Sequence, residues 1–200
     1  MAGWLIQVTG PSGVGKDTLL VGARAALAET PGLHFVRRVI TRPADAGGEA
    51  HEAMSEADFD QAVAEGQFFA WWRAHGLGYG VPGAVACRLA AGETVVLNGS
   101  RAAAAGIAAR WPQGLMVGID APPAVLAARL AARGREDAAA IAQRRARSVP
   151  LPPEGLPRVT LMNDGTVEEG VARLTAVIRR LHGGDLSGAL AVAEAAEGTA

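Results

Sequence analysis

The sequence predicts an α/β fold, a parallel sheet flanked by helices on both faces. Three observations carry that expectation. Short runs of strand-forming apolar residues alternate with helix-period segments along most of the 200 residues. The first strand runs directly into a glycine-rich turn that opens a helix. The run Thr94-Val-Val-Leu-Asn98 has no polar alternation, as expected of a strand covered on both faces.

Taken in order, residues 4–9 read as a strand, ending at Gly10. Helix 17–30 follows, with Leu19, Leu20, Ala23, Ala26 and Leu27 at helical spacing, and Thr30-Pro31-Gly32 stops it. Residues 33–40 read as a second strand and the polar, turn-rich 41–54 as a loop or small insert. Ser55 caps a helix, with Asp58 three residues on and Gly66 past its end. The aromatic run 67–73 is strand-like, and Trp71 and Trp72 are expected to wall the core. Helix 84–91, strand 94–98, helix 102–110 and strand 114–120 come next. Pro122-Pro123 opens a helix to about residue 133, and 136–147 reads as an arginine-bearing helix. A proline-rich loop over 150–157 leads to the last strand, 158–163. Thr166 with Glu169 forms a capping box for a helix ending near His182. The alanine- and glycine-rich residues 183–200 are expected to be frayed or disordered. This organisation makes 1–182 a single domain in which 41–80 breaks the β/α rhythm as an inserted substrate region.

Composition narrows the function. Half the residues are apolar and 20% are charged, enough for a core and too little charge for general disorder. Nineteen basic against 20 acidic residues leave a net charge of −1, which argues against a broad cationic nucleic-acid surface. No apolar run reaches the roughly 20 residues of a membrane span, and the first residues lack a signal-peptide pattern. Cys87 is the single cysteine, so no intrachain disulfide or cysteine metal cluster can form. The expectation is a soluble cytoplasmic protein. Lys16 is the single lysine beside 18 arginines, and it stands inside the glycine-rich turn.

That turn is Gly10-Pro11-Ser12-Gly13-Val14-Gly15-Lys16-Asp17-Thr18. Between a strand and a helix, this spacing makes a phosphate loop. Its glycines let successive N–H groups point at phosphate oxygens, and the helix N-terminus adds free donors and a favourable dipole. Lys16 is expected to reach the outer phosphates as a mobile point charge. A nucleoside triphosphate with Mg²⁺ follows as cofactor. The motif departs from its usual form at one place, where Asp17 replaces the Ser or Thr that would hold the metal. Either Asp17 or Thr18 is then the metal ligand. The segment Asn163-Asp164-Gly165 lacks the lysine of a guanine-reading GTPase motif.

Phosphoryl transfer asks a protein to position two anions and neutralise the charge between them. Arginines stand in the two regions where that is needed. Arg37, Arg38 and Arg42 lie at the start of the insert, and Arg73 leads into His75-Gly-Leu-Gly-Tyr79. A second set, including Arg129, Arg133, Arg135 and Arg144, spans 129–147 and is expected to form a lid. His51 and His75 are candidate contacts to acceptor hydroxyls or phosphate; His34 and His182 read as structural or exposed. Asp120 ends a strand but Pro122-Pro123 follows closely, and no catalytic part is assigned to it.

Taken together, the phosphate loop, Thr41-Arg42-Pro43, Tyr79-Gly80, the arginine hairpin and Asn163-Asp164 resemble the guanylate-kinase-like branch of the P-loop NTPase fold, over most of residues 4–180. Within it the chain looks most like the ribose 1,5-bisphosphate phosphokinases of phosphonate catabolism. The residues behind that likeness are Gly15-Lys-Asp17, Ile40-Thr-Arg-Pro43, Ala46-Gly-Gly-Glu-Ala-His51, the run from Trp72 to Pro82, Ser100-Arg101 and Arg133-Gly-Arg-Glu136. Where guanylate kinases carry acids after the third main strand, Asn98-Gly-Ser100-Arg101 stands here. Losing an acid that would meet a base suits an acceptor with phosphates and no base. The resemblance implies ATP-dependent phosphorylation of ribose 1,5-bisphosphate to 5-phosphoribosyl 1-diphosphate. It implies Arg42, Glu49, His51, His75, Tyr79, Ser100 and Arg101 on the acceptor side and Asn163 near the adenine. Lys16, Arg133, Arg135 and Arg144 would stabilise the transferring group. A guanylate or other nucleoside monophosphate kinase is the enzymatic alternative, and a non-catalytic binding module of the same fold a third.

Overall fold

The structure, a computed structural model, describes residues 2–45, 49–132 and 156–197. Arg133, Arg135, Arg144, the helix expected over 136–147 and most of the proline-rich loop lie outside the described residues. In chain order the elements begin with β1 (Leu5–Thr9), α1 (Lys16–Ala26), β2 (Leu33–Phe35), β3 (Val39–Ile40) and β4 (Glu52–Ala53). They continue with α2 (Glu56–Ala64), β5 (Phe68–Ala74), β6 (Leu77–Pro82), α3 (Ala84–Ala90) and β7 (Thr94–Asn98). Then come α4 (Ala104–Arg110), β8 (Gly114–Asp120), α5 (Pro123–Ala132), β9 (Arg158–Met162), α6 (Val167–His182) and α7 (Leu186–Glu197).

Five strands form a parallel sheet in the order β2-β7-β1-β8-β9. Successive side chains along a strand point to opposite faces, which sorts the core into two layers. Ile6, Val8, Val96, Val117 and Ile119 face α1 and α6, meeting Leu19, Ala23, Leu174, Val177 and Ile178. Leu5, Val95 and Leu97 face the other way, onto Val85, Leu89 and Ile107 of α3 and α4. Each such buried aliphatic side chain contributes on the order of 1.5–3 kcal/mol. Because β1 is flanked by β7 and β8, the carboxyl ends of three central strands meet beside the glycine-rich turn. In open parallel sheets that crevice is where ligands bind.

The stretch that broke the β/α rhythm forms a second sheet, β4-β3-β6-β5, in which β3 pairs antiparallel with β6, and β6 with β5. It has a small core of Val39, Phe59, Ala62 and Phe68, with the two phenyl rings 5.1 Å apart. Gly78 and Gly80 make that contact possible. A Cβ on Gly78 would lie 2.8 Å from the Phe59 ring, and one on Gly80 would lie 2.4 Å from the Phe68 ring. Two helix caps follow the sequence closely: Ser55 accepts from the Asp58 amide, and Thr166 and Glu169 cap α6 reciprocally.

Three expectations need correction. Residues 33–40 are not one strand: β2 belongs to the parallel sheet and β3 to the second sheet, so the chain changes partner at Val36–Arg38. Trp72 walls the core as expected, but Trp71, pointing from the opposite face of β5, is 47% exposed. Residues 186–197, expected to be frayed, form α7, whose Ala189 is fully buried against the main core beside Leu186 and Leu190. Asp185 accepts from the Gly188 amide at 2.8 Å, a helix N-cap that an alanine-rich reading overlooked. Among the described residues, no helix is long and apolar enough to cross a membrane.

Candidate active site

The turn from Gly10 to Thr18 lies at the carboxyl end of β1. Gly13 and Gly15 take φ of +84° and +91°, a left-handed backbone that glycine adopts without a Cβ penalty. A Cβ on Gly15 would also meet the Asn163 amide nitrogen at 2.7 Å. Val14, buried, anchors the turn from below, while Ser12, Asp17 and Thr18 are exposed and Pro11 is half-buried. The Val14 carbonyl accepts from Asn163 Nδ2 at 2.7 Å and from Arg129 at 3.2 Å, and Arg129 also donates to the Asn163 carbonyl at 2.9 Å. Asn163 is therefore a buried brace under the turn. Arg129, placed by the sequence in a lid, ties α5 to the same turn.

Lys16 Nζ donates to Asp17 Oδ1 at 3.1 Å and to Asn98 Oδ1. Burial pushes the Lys16 ammonium below the ordinary lysine range, against the raising effect of Asp17. For Asp17 burial pushes upward, but the Lys16 charge and hydrogen bonds from Lys16 and Asn98 together hold the carboxyl below its usual value. Asn98, the last residue of β7, is 7% exposed, and its Nδ2 donates to Asp17 Oδ1 at 3.0 Å and to Glu49 Oε2. Glu49 in turn holds Arg38, which donates from Nε at 2.8 Å and from Nη2 at 2.7 Å to the same oxygen. The Arg38 guanidinium lies 5.4 Å from the Trp72 ring centre and 5.1 Å from that of Tyr79, and those two rings stack 5.5 Å apart. One polar chain thus runs from the phosphate loop to the aromatic wall of the second sheet.

Arg42 and His51 form a second cluster. His51 is 2% exposed, with Nδ1 3.0 Å from the Glu49 carbonyl and Nε2 3.0 Å from the Arg42 carbonyl. Arg42 Nη2 lies 3.3 Å from Nδ1. His51 therefore closes the loop between β3 and β4 and positions Arg42, leaving no ring nitrogen turned to an acceptor. Arg42 Nε is buried without a hydrogen-bond partner, at a cleft also lined by Thr41, Pro43, Met54, Ser55 and Glu56. An orphaned guanidinium donor there suits a phosphate oxygen.

Of the residues singled out from the sequence, the structure brings Lys16, Asp17 and Glu49 into one network and places Tyr79 against it through Arg38. Ser100 and Arg101 stand half-buried in the turn between β7 and α4, close in sequence to Asn98. His75 does not join them: it occupies the exposed turn between β5 and β6, at φ +54°. Sequence reasoning placed Arg38 among the arginines at the start of the insert without giving it a site role, and passed over Asn98 as a site residue. Asn98 carried a usable signal, since a polar residue ending a fully apolar parallel strand falls in the ligand crevice. Arg38 carried only its place in that arginine set, because its partners lie 11 to 41 positions away.

The donor set suits a phosphorylated nucleotide with a divalent cation. The turn supplies backbone donors and one ammonium, and Asp17 is the carboxylate at its mouth. Among the described residues no group of three metal-ligating side chains stands together.

The sheet order, the turn at the head of α1 and the arginine-bearing second sheet define a class, the P-loop kinases of guanylate-kinase-like fold. Among solved structures the chain is similar to a guanylate kinase from Anaplasma phagocytophilum, with TM-score 0.64 and 18% identity, covering 90% of this chain and 87% of that one. A gluconokinase from Sinorhizobium meliloti gives TM-score 0.51 at 20% identity, covering 92% and 95%. At these identities the likeness concerns the fold alone. No protein-family model matches the chain. Curated relatives are much nearer: ribose 1,5-bisphosphate phosphokinases from Methylobacterium radiotolerans, 46% identical over 90% of this chain and 99% of the relative, and from Agrobacterium fabrum, 43% over 90% and 98%. The chain belongs to the ribose 1,5-bisphosphate phosphokinase family. It is also 50% identical over 88% of its length to a bifunctional ribose 1,5-bisphosphokinase-thymidine phosphorylase from Azorhizobium caulinodans, of which it spans 26%.

Proposed function

We propose that this chain transfers the γ-phosphoryl group of ATP to the 1-phosphate of ribose 1,5-bisphosphate, giving 5-phosphoribosyl 1-diphosphate and ADP in the cytoplasm, as a step of phosphonate catabolism. The observation that carries the reading is the network Lys16–Asn98–Glu49–Arg38, which joins a phosphate loop to the acceptor-side sheet in a chain of this family. An acceptor phosphate oxygen attacks the γ-phosphorus as the bond to the ADP oxygen breaks. The nucleophile is already ionised at neutral pH, so the chain's work is positioning and charge neutralisation, with no general base.

In this reading the backbone of residues 10–18 and Lys16 hold the ATP phosphates, and Asn163 and Arg129 keep the turn in shape. Asp17 or Thr18 would hold Mg²⁺, which would supply charge screening for the ATP phosphates. Arg42, positioned by His51, takes an acceptor phosphate, with Tyr79, Ser100 and Arg101 as further contacts. Glu49 belongs to the sugar side. Arg133, Arg135 and Arg144, outside the described residues, are assigned to the transferring phosphoryl group. His75 keeps only a peripheral part.

The test is ADP release with ATP, Mg²⁺ and one of ribose 1,5-bisphosphate, GMP, AMP or ribose 5-phosphate. Turnover of the first, with a product that then serves a phosphoribosyltransferase, is the expected result. Turnover of GMP alone would keep the phosphate loop and overturn the acceptor.

A further inference from the structure

We propose that Asn98 reads a hydroxyl group of the sugar acceptor, together with Glu49. This deepens the reading above and rests on it. Asn98 and Glu49 line a narrow cleft between α1 and the β2–β7 edge of the main sheet. Asp17 stands at the same polar end, and Leu20, Phe35, Val36 and Val96 supply apolar walls.

The chemistry of the cleft selects its occupant. Asp17 and Glu49 flank Asn98, paired with Lys16 and Arg38 respectively, and Arg24 also lines the cleft, so what distinguishes occupants there is the hydrogen bonding of Asn98. Arg42, whose Nε is buried without a partner, lines the other cleft together with Glu56.

Asn98 also has a hydrogen-bonding deficit whenever Lys16 is in use. Its Oδ1 accepts from Lys16 Nζ. An ammonium that turns to phosphate oxygens leaves that buried oxygen without a donor, which is costly unless another donor arrives. An ionised phosphate has no proton to give, whereas a hydroxyl does. The same hydroxyl oxygen can accept from Asn98 Nδ2, and a neighbouring hydroxyl can donate to Glu49. The apolar walls suit the C–H face of a furanose ring. Binding at the phosphate loop and recognition of the sugar are thereby linked through one side chain, which exchanges an ammonium for a hydroxyl.

The experiment compares kcat/KM for ribose 1,5-bisphosphate with its 2-deoxy and 3-deoxy analogues, in the natural chain and in Asn98→Ala. The natural chain should disfavour at least one deoxy analogue by about tenfold or more, the size of one lost hydrogen bond to a buried partner. In Asn98→Ala that preference should shrink to near unity, because the ribose rate falls while the disfavoured analogue's rate is kept. Equal turnover of all three sugars by the natural chain would overturn the proposal without needing the variant, and so stands even if Asn98→Ala does not fold. A variant that slows every sugar by the same factor would overturn it too. Should the natural chain turn over none of the sugars and accept GMP, the proposed reaction itself fails, a result distinct from either.

Discussion

The phosphate loop and the acceptor side are built in opposite ways. The loop is nine consecutive residues shaped by two left-handed glycines, with Val14 below and the Asn163 and Arg129 braces beneath it. The proposed acceptor side is assembled from Arg38, Glu49, Tyr79 and Asn98, which belong to four separate segments and meet only in the fold. A cradle for a generic anion can be written in contiguous backbone, because every peptide carries an N–H. A pocket for a particular acceptor needs side chains of chosen chemistry, and only tertiary structure places those.

That contrast can be broken at its strongest point by Lys16→Ala. Turnover should fall by about 100- to 1,000-fold, the range for removing one donor to a developing charge, while thermal unfolding stays close to that of the natural chain. An unchanged rate would remove the loop from the chemistry. The acceptor side is probed by Arg38→Met, which takes two hydrogen bonds from Glu49 and the cation from the Trp72–Tyr79 stack. The KM for the acceptor should rise by about ten- to a hundredfold, as for lost charge-assisted hydrogen bonds, with the KM for ATP nearly constant. Equal rises in both constants would show that the two sides are not separable.

Asn163→Leu is the mirror-image test. It leaves the Val14 carbonyl with only Arg129 as side-chain donor, and should raise the KM for ATP by about two- to tenfold with the acceptor constant unmoved. The smallest effect concerns acid stability. Asp17 has a folded-state pKa below its ordinary 3.8, so its contribution is present above that value and is lost as pH falls below it. Asp17→Asn should therefore flatten the acid limb of the stability profile slightly, since a side chain 55% exposed is well screened. Identical acid unfolding curves would mean that solvent already cancels the pair.

How much the sequence disclosed follows the same division. Strands such as Gly114–Asp120 and the Thr166–Glu169 capping box were legible because apolar periodicity and caps are local signals. The residues 33–40 looked like one strand because periodicity does not record which strand is the partner. Val36 still bonds to Val96, and three residues later Val39 pairs with Gly80. The helix over 186–197 was missed because alanine-rich composition was weighed above the Asp185 cap and the apolar Leu186, Ala189 and Leu190. At the site, glycine spacing disclosed the loop, while the hydrogen bond by which Asn163 braces it was not legible. His51 was found by its chemistry but misjudged in direction, since a sequence shows a ring and not the carbonyls it faces.

The lone lysine has a practical corollary. Lys16 carries the only side-chain amine in the chain, and burial favours its unprotonated, nucleophilic form. An acylating reagent that reaches it therefore reports on one address: the fraction of side-chain amine modified equals the fraction of phosphate loops blocked. Protection by a nucleotide can be followed by mass at the peptide that carries Lys16, apart from the N-terminal amine and the exposed Cys87 thiol, and the eighteen arginines do not react.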